Sequence, residues 1–109
     1  MDNKANLAMV KGDTKAFIVE IEGLEEDLDS AYFSVKKSTN DEDYIFQKSL
    51  SDGIEKVETG KYRVRIAPAD TRSVELGTYF YDLQIGLDED IYTIMRGKLE
   101  IAYEITEEY

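Results

Sequence analysis

Apolar and polar side chains alternate along most of this chain. Phe17, Val19 and Ile21 alternate with Ile18, Glu20 and Glu22, and Ala31, Phe33 and Val35 with Tyr32, Ser34 and Lys36. Tyr62, Val64 and Ile66 alternate with Lys61, Arg63 and Arg65. Tyr79, Tyr81, Leu83, Ile85 and Leu87 share one face of a longer run, with Thr78, Phe80, Asp82, Gln84 and Gly86 on the other. Met95, Leu99, Ile101, Tyr103 and Ile105 then oppose Arg96, Lys98, Glu100 and Glu104. A period of two is the mark of strands buried on one side. Helical spacing is confined to one turn at Pro68-Ala-Asp-Thr-Arg-Ser-Val74.

Turn-forming residues fall between these runs: Gly12-Asp13, Gly23, Thr39-Asn-Asp-Glu-Asp43, Asp52-Gly53, Thr59-Gly60, Gly77 and Asp88-Glu-Asp90. The pattern predicts about seven strands, at roughly 6–11, 14–22, 30–37, 43–49, 60–67, 77–87 and 91–104. The expected fold is an all-β, immunoglobulin-like antiparallel sandwich of about seven strands in a single domain, residues 1–109. Its core should hold Phe17, Val19, Ile21, Phe33, Val35, Tyr62, Val64, Ile66, Tyr79, Tyr81, Leu83, Ile85, Leu99 and Ile101. Thr106-Glu-Glu-Tyr109 reads as a solvated tail.

Three consecutive rings, Tyr79-Phe-Tyr81, raise the question of core against binding platform. A three-residue loop at 88–90 sets Leu87 opposite Ile91, Leu83 opposite Met95, Asp82 opposite Arg96, Tyr81 opposite Gly97 and Tyr79 opposite Leu99. Tyr79 and Tyr81 then face the core, with Tyr81 covering a cross-strand glycine. Gly77-x-Tyr79 resembles the tyrosine corner of immunoglobulin-like domains, which puts Tyr81 where such domains carry their second cysteine. Phe80 faces outward. With Tyr92 and Ile94 it predicts an exposed apolar stripe, covered by another subunit or by a loop of the same chain.

Composition narrows the chemistry. The formal charge is −11 and the hydrophobic share 42%, enough for a core, without the basic footprint that nucleic acid or an anionic membrane requires. Cysteine, histidine and tryptophan are all absent. That removes disulfides, thiolate metal sites, the usual general base and the commonest zinc ligand. Asp41-Glu-Asp43 and Asp88-Glu-Asp90 lack the spacing of a calcium loop and read as solvated acidic turns. No catalytic constellation, cofactor site or metal site is predicted. No apolar run reaches signal-peptide or membrane-span length, so the expectation is a chain that stays in the cytoplasm when made. Lys61, Arg63 and Arg65 form a basic stripe, expected to guard a sheet edge or to meet a neighbouring copy's acidic loops. Tyr32, Tyr44, Phe80 and Tyr92 are the aromatics free to bind a sugar.

One resemblance spans nearly the whole chain. It rests on Gly12-Asp-Thr14, Leu28-Asp-Ser-Ala-Tyr-Phe-Ser-Val-Lys-Lys37, Gly60-Lys-Tyr-Arg-Val-Arg-Ile-Ala-Pro-Ala-Asp-Thr71, Gly77-Thr-Tyr-Phe-Tyr-Asp-Leu83, Tyr92-Thr-Ile-Met-Arg-Gly-Lys-Leu-Glu-Ile101 and Glu104-Ile-Thr106. In that order they resemble the N-terminal β-sandwich domain of phage and prophage baseplate upper proteins and related tail-fibre proteins. The resemblance implies a non-enzymatic structural part of a virion, assembled in the bacterial cytoplasm. Its partners would be other tail proteins or copies of itself, through Phe80, Tyr92, Ile94, Tyr32, Arg63 and Arg65. In those proteins the domain leads into further sequence, which makes this chain either stand-alone or a piece of something longer. The alternative is a stand-alone carbohydrate- or receptor-binding sandwich.

Overall fold

The computed structural model describes residues 3–102, with the side chains of Asn3 and Lys4 left aside. Tyr103, Ile105 and the tail at 106–109 therefore lie outside the described residues. Nine strands and one helical turn follow in order: β1 (Asn3–Lys4), β2 (Leu7–Val10), β3 (Lys15–Glu20), β4 (Ser30–Lys36), β5 (Phe46–Leu50), β6 (Gly53–Glu58), β7 (Lys61–Ile66), α1 (Pro68–Thr71), β8 (Gly77–Leu87) and β9 (Asp90–Ala102). Hydrogen bonding runs β1-β9-β8-β4-β5-β6-β7-β3, with β2 also on β9.

The chain folds at the β5–β6 junction. Only Ser49↔Gly53 and Leu50↔Ile54 pair there, in parallel, across a tight corner where Ser51 and Gly53 take positive φ. That corner brings β6, β7 and β3 to face β9, β8, β4 and β5. The two layers meet through Phe33, Val35, Tyr62, Val64, Ile66, Tyr79, Tyr81, Leu83, Ile85, Leu99 and Ile101, all buried. Phe17 of β3 packs edge-on to Phe33 of β4 at 5.8 Å, and Phe33 lies 5.3 Å from the Tyr81 ring. Burying side chains of this size contributes about 1.5–3 kcal/mol each.

The expected strands are present, with corrections. β6 is an additional strand between the expected turns at Asp52-Gly53 and Thr59-Gly60, and it contributes the fully buried Ile54. Three pairings are parallel: β1·β9, β2·β9 and β5·β6. The basic stripe does not lie on an edge, because β7 sits between β6 and β3. Phe17, Val19 and Ile21 face the core but stay only partly buried, because β3 has no neighbour on its far side among the described residues.

The β8–β9 hairpin holds the expected register from Tyr79↔Leu99 to Leu83↔Met95, then shifts by one. Its loop has two residues, since Asp88 (φ 51°) and Glu89 (φ 74°) both take the left-handed conformation of a type I′ turn. Leu87 therefore opposes Asp90, not Ile91. A bulge near Ile94 absorbs the extra residue. It turns Ile94 inward against the core.

Polar contacts of Tyr62 and Asp70 tie loops to the layers. The Tyr62 hydroxyl accepts the Leu28 N–H at 3.0 Å. Asp70 accepts the Ala67 N–H at 2.7 Å, closing the first turn of α1, and pairs with Lys48 at 2.9 Å. No buried side-chain nitrogen or oxygen among the described residues lacks a partner.

Candidate functional site

The outward face of β8, β4 and β5 carries a groove of about 490 Å³. Alternation places its lining. On β8, Phe80, Asp82 and Gln84 point away from the core because Tyr79, Tyr81 and Leu83 point into it. On β4, Tyr32, Ser34 and Lys36 do the same between Ala31, Phe33 and Val35. The registers Tyr32↔Gln84, Ser34↔Asp82 and Lys36↔Phe80 set these side chains side by side.

Gln47 of β5 closes one side and donates to the Ser34 hydroxyl at 2.9 Å. The 39–44 loop closes the end. Lys36 donates to the Asp41 carbonyl at 2.7 Å, and its ammonium sits 5.1 Å from the centre of the Tyr44 ring. The result is a polar floor of Ser34, Gln47, Asp82 and Gln84 under the rings of Tyr32, Tyr44 and Phe80. Burial pushes the Asp82 carboxyl up from its ordinary range, and Lys36 partly opposes that. Arg96 stands across from Asp82 in the ladder.

The six residues expected to form one interface are thus divided. Tyr32 and Phe80 share the groove. Ile94 does not belong to the outward stripe, because the bulge carries it to the core side. Tyr92 is paired with the core-facing Ile85 and emerges, half-exposed, at the end of the sheet. Ile91, 63% exposed, takes the outward position instead and lies over Gly86. Arg63 and Arg65 are on the opposite layer, where Arg63 meets Glu55 at 2.6 Å. Of the four aromatics free to bind a sugar, Tyr32, Tyr44 and Phe80 line the groove. The acid-rich turns bring no group of three or more carboxylates together as a metal site among the described residues. The sequence reading missed Gln47 and the loop residue Thr39. Gln47 lies on a strand without clean alternation, so its direction could not be read.

The opposite end of β8 fixes the fold class. The Tyr79 hydroxyl donates to the Glu75 carbonyl at 2.6 Å, four residues upstream, while its ring is buried. That is the tyrosine corner. Two residues on, Tyr81 stands where immunoglobulin domains carry their second cysteine, with the buried Phe33 of β4 against its ring. Phe17 packs edge-on and Tyr81 tilted against Phe33, so three rings pack here in a chain that has no cysteine. The fold is immunoglobulin-like.

Solved structures agree on that point. The chain is similar to the NK cell receptor Nkp44, a triggering partner in natural cytotoxicity, with TM-score 0.56, 13% identity, and coverage of 93% of this chain and 100% of that one. It is also similar to the extracellular domain of the voltage-gated sodium channel beta4 subunit, which forms parallel homodimers in cell–cell adhesion. There the TM-score is 0.50, identity 8%, and coverage 96% of both chains. At such identities the likeness is one of fold. No family model and no curated protein sequence matches the chain. No helix among the described residues is long and apolar enough to cross a membrane.

Proposed function

We propose that this chain is a non-enzymatic assembly domain that works by protein–protein contact, with the β8–β4–β5 groove as its contact site. One observation carries the reading: Tyr32, Tyr44 and Phe80 surround a floor of Ser34, Gln47, Asp82 and Gln84. Tyrosine supplies rigid, amphipathic contact area at low entropic cost, and short polar side chains supply adaptable hydrogen bonds. Protein-recognising surfaces use the same pairing. The setting we propose is a phage or prophage tail or baseplate, as a virion component assembled in the bacterial cytoplasm. The ordered motifs from Gly12-Asp-Thr14 to Tyr92-Thr-Ile-Met-Arg-Gly97 support it. The homodimeric beta4 domain is a precedent for this architecture joining chains.

The test starts from the genes beside this one. Each tail or baseplate product they encode is titrated calorimetrically against the purified chain. At least one should bind at about micromolar affinity or tighter, weakened tenfold or more by Phe80→Lys. A second reading, a carbohydrate-binding groove, draws on the same rings, which can stack on sugar faces over a hydroxyl-binding floor. It replaces the first if no tail product binds and a glycan array gives signal that Tyr44→Ala and Phe80→Ala abolish.

A further inference from the structure

The other layer carries a feature unrelated to the groove. β3 pairs with β7 on one side and, among the described residues, with nothing on the other. Its sequence, Lys15-Ala-Phe-Ile-Val-Glu20, contains no proline, no glycine and no bulge. Natural edge strands are commonly blunted by such devices or by charges in mid-strand, because an unpaired flat strand is a template for another strand. Here the middle of the edge is Phe17-Ile-Val19. Ile18 is 50% exposed, and Phe17 and Val19 stay open to solvent on the core side.

Strand geometry says which occupant fits. The Ile21 N–H bonds to the Gly60 carbonyl, toward β7. By alternation Val19, Phe17 and Lys15 also direct their peptide groups to β7. Ala16, Ile18 and Glu20 direct theirs to the open edge. A second copy approaching antiparallel, about a two-fold axis perpendicular to the sheet, keeps inward residues inward only if the paired residue numbers have the same parity. Centring the pair on Ile18 opposite Ile18 satisfies this and sets Ala16 opposite Glu20. Every outward peptide group from Ala16 to Glu20 then finds a partner. On the core side Phe17 meets the other copy's Val19, covering both.

Charge selects the same register. Arg65 is exposed and lies beside Ala16 on β7, and no ion pair engages it among the described residues. Glu20 lies 3.9 Å from Lys61, which Glu58 holds more closely at 3.1 Å. With Glu20 of the second copy opposite Ala16, the small alanine lets Arg65 reach across to that carboxylate as a second cation, and the axis repeats the contact. The shift by two that centres on Phe17 would set Ile18, not Glu20, opposite Ala16 and leave Arg65 unmatched. We infer that a second copy of this chain pairs along β3, antiparallel and centred on Ile18, joining the two β6–β7–β3 layers into one continuous sheet. A six-residue strand pair is a small interface, so the dimer is concentration-dependent.

The experiment is sedimentation velocity on the intact chain, over a concentration series at about 0.15 M salt. The weight-average mass should climb from one chain toward two. Ile18→Lys sets like charges on the axis and should keep the protein monomeric throughout, with unchanged far-UV circular dichroism. Arg65→Glu should weaken association about three- to tenfold, and adding Glu20→Arg should restore it. The proposal is overturned if the wild type stays monomeric to millimolar concentration. It is equally overturned if the Ile18→Lys protein dimerises as the wild type does, or if the charge swap fails to rescue. Binding of tail products through Phe80 is a separate readout, so either proposal can fail without the other.

Discussion

Replacing Tyr81 tests the packing and the entry of the chain into the fold together. The side chain is 4% exposed, its ring lies 5.3 Å from Phe33, and its hydroxyl donates to the Ala5 carbonyl at 2.5 Å. Tyr81→Ala removes the ring and leaves a cavity between the layers, at a cost of about 3–5 kcal/mol. Tyr81→Phe keeps the ring and removes one hydrogen bond. It strands the Ala5 carbonyl and should cost about 1–2 kcal/mol. Domains of this size are stable by roughly 5–15 kcal/mol, so the alanine variant loses a large fraction and its Tm should fall by roughly 10–20 °C. Urea titrations followed by far-UV circular dichroism give both numbers. Hydrogen exchange locates the phenylalanine effect, which should appear as faster exchange at residues 7–10. A loss below about 1 kcal/mol for Tyr81→Ala would refute the assignment of this ring to the core.

Two further outcomes follow from other positions. Gly97 faces Tyr81, and a Cβ there would run into the Ala5 carbonyl. Gly97→Ala should therefore cost about 1–3 kcal/mol in urea unfolding and loosen the same N-terminal amides, whereas a neutral result would mean that the first strands do not cross β9 as described. Burial raises the folded-state pKa of Asp82 above its unfolded value. The contribution of this group is then greatest below the unfolded pKa and is lost as pH rises through the folded one. Asp82→Asn should match the wild type in Tm near pH 3 and exceed it at pH 7, and an equal difference at both pH values would contradict the burial argument.

The strands that were legible in the sequence are those with one wet and one dry face. β4, β7 and β8 alternate cleanly, because Phe33, Val64 and Tyr81 are buried while Tyr32, Arg65 and Phe80 are not. β6 was not legible. After Ile54 it runs Glu-Lys-Val-Glu58, a stretch exposed throughout, and one buried residue makes no pattern. The bulge was invisible for a different reason. It is a change of pairing, not of composition, and Asp88-Glu89 is not the Asn-Gly or Asp-Gly pair that marks a two-residue turn. That single slip moved Tyr92 and Ile94 off the expected outward stripe, while Phe80 and Tyr32, whose strands keep the expected alternation, face outward as read. Parity says which way a side chain points, but it cannot say which distant strand lies beside it. The groove wall at Gln47 and Tyr44 could therefore appear only with the fold.

The first strands run parallel to the last described one, Leu7–Val10 alongside Leu99–Ala102. Tension applied through residues 3 and 102 therefore drags β2 and β9 in opposite senses along a common axis. Every bond of that ladder is strained at once instead of being peeled from one end. A chain pulled from those two points would resist rupture by this arrangement. The ladder's strength would depend on Leu7 and Met9 staying packed, and not on any covalent link.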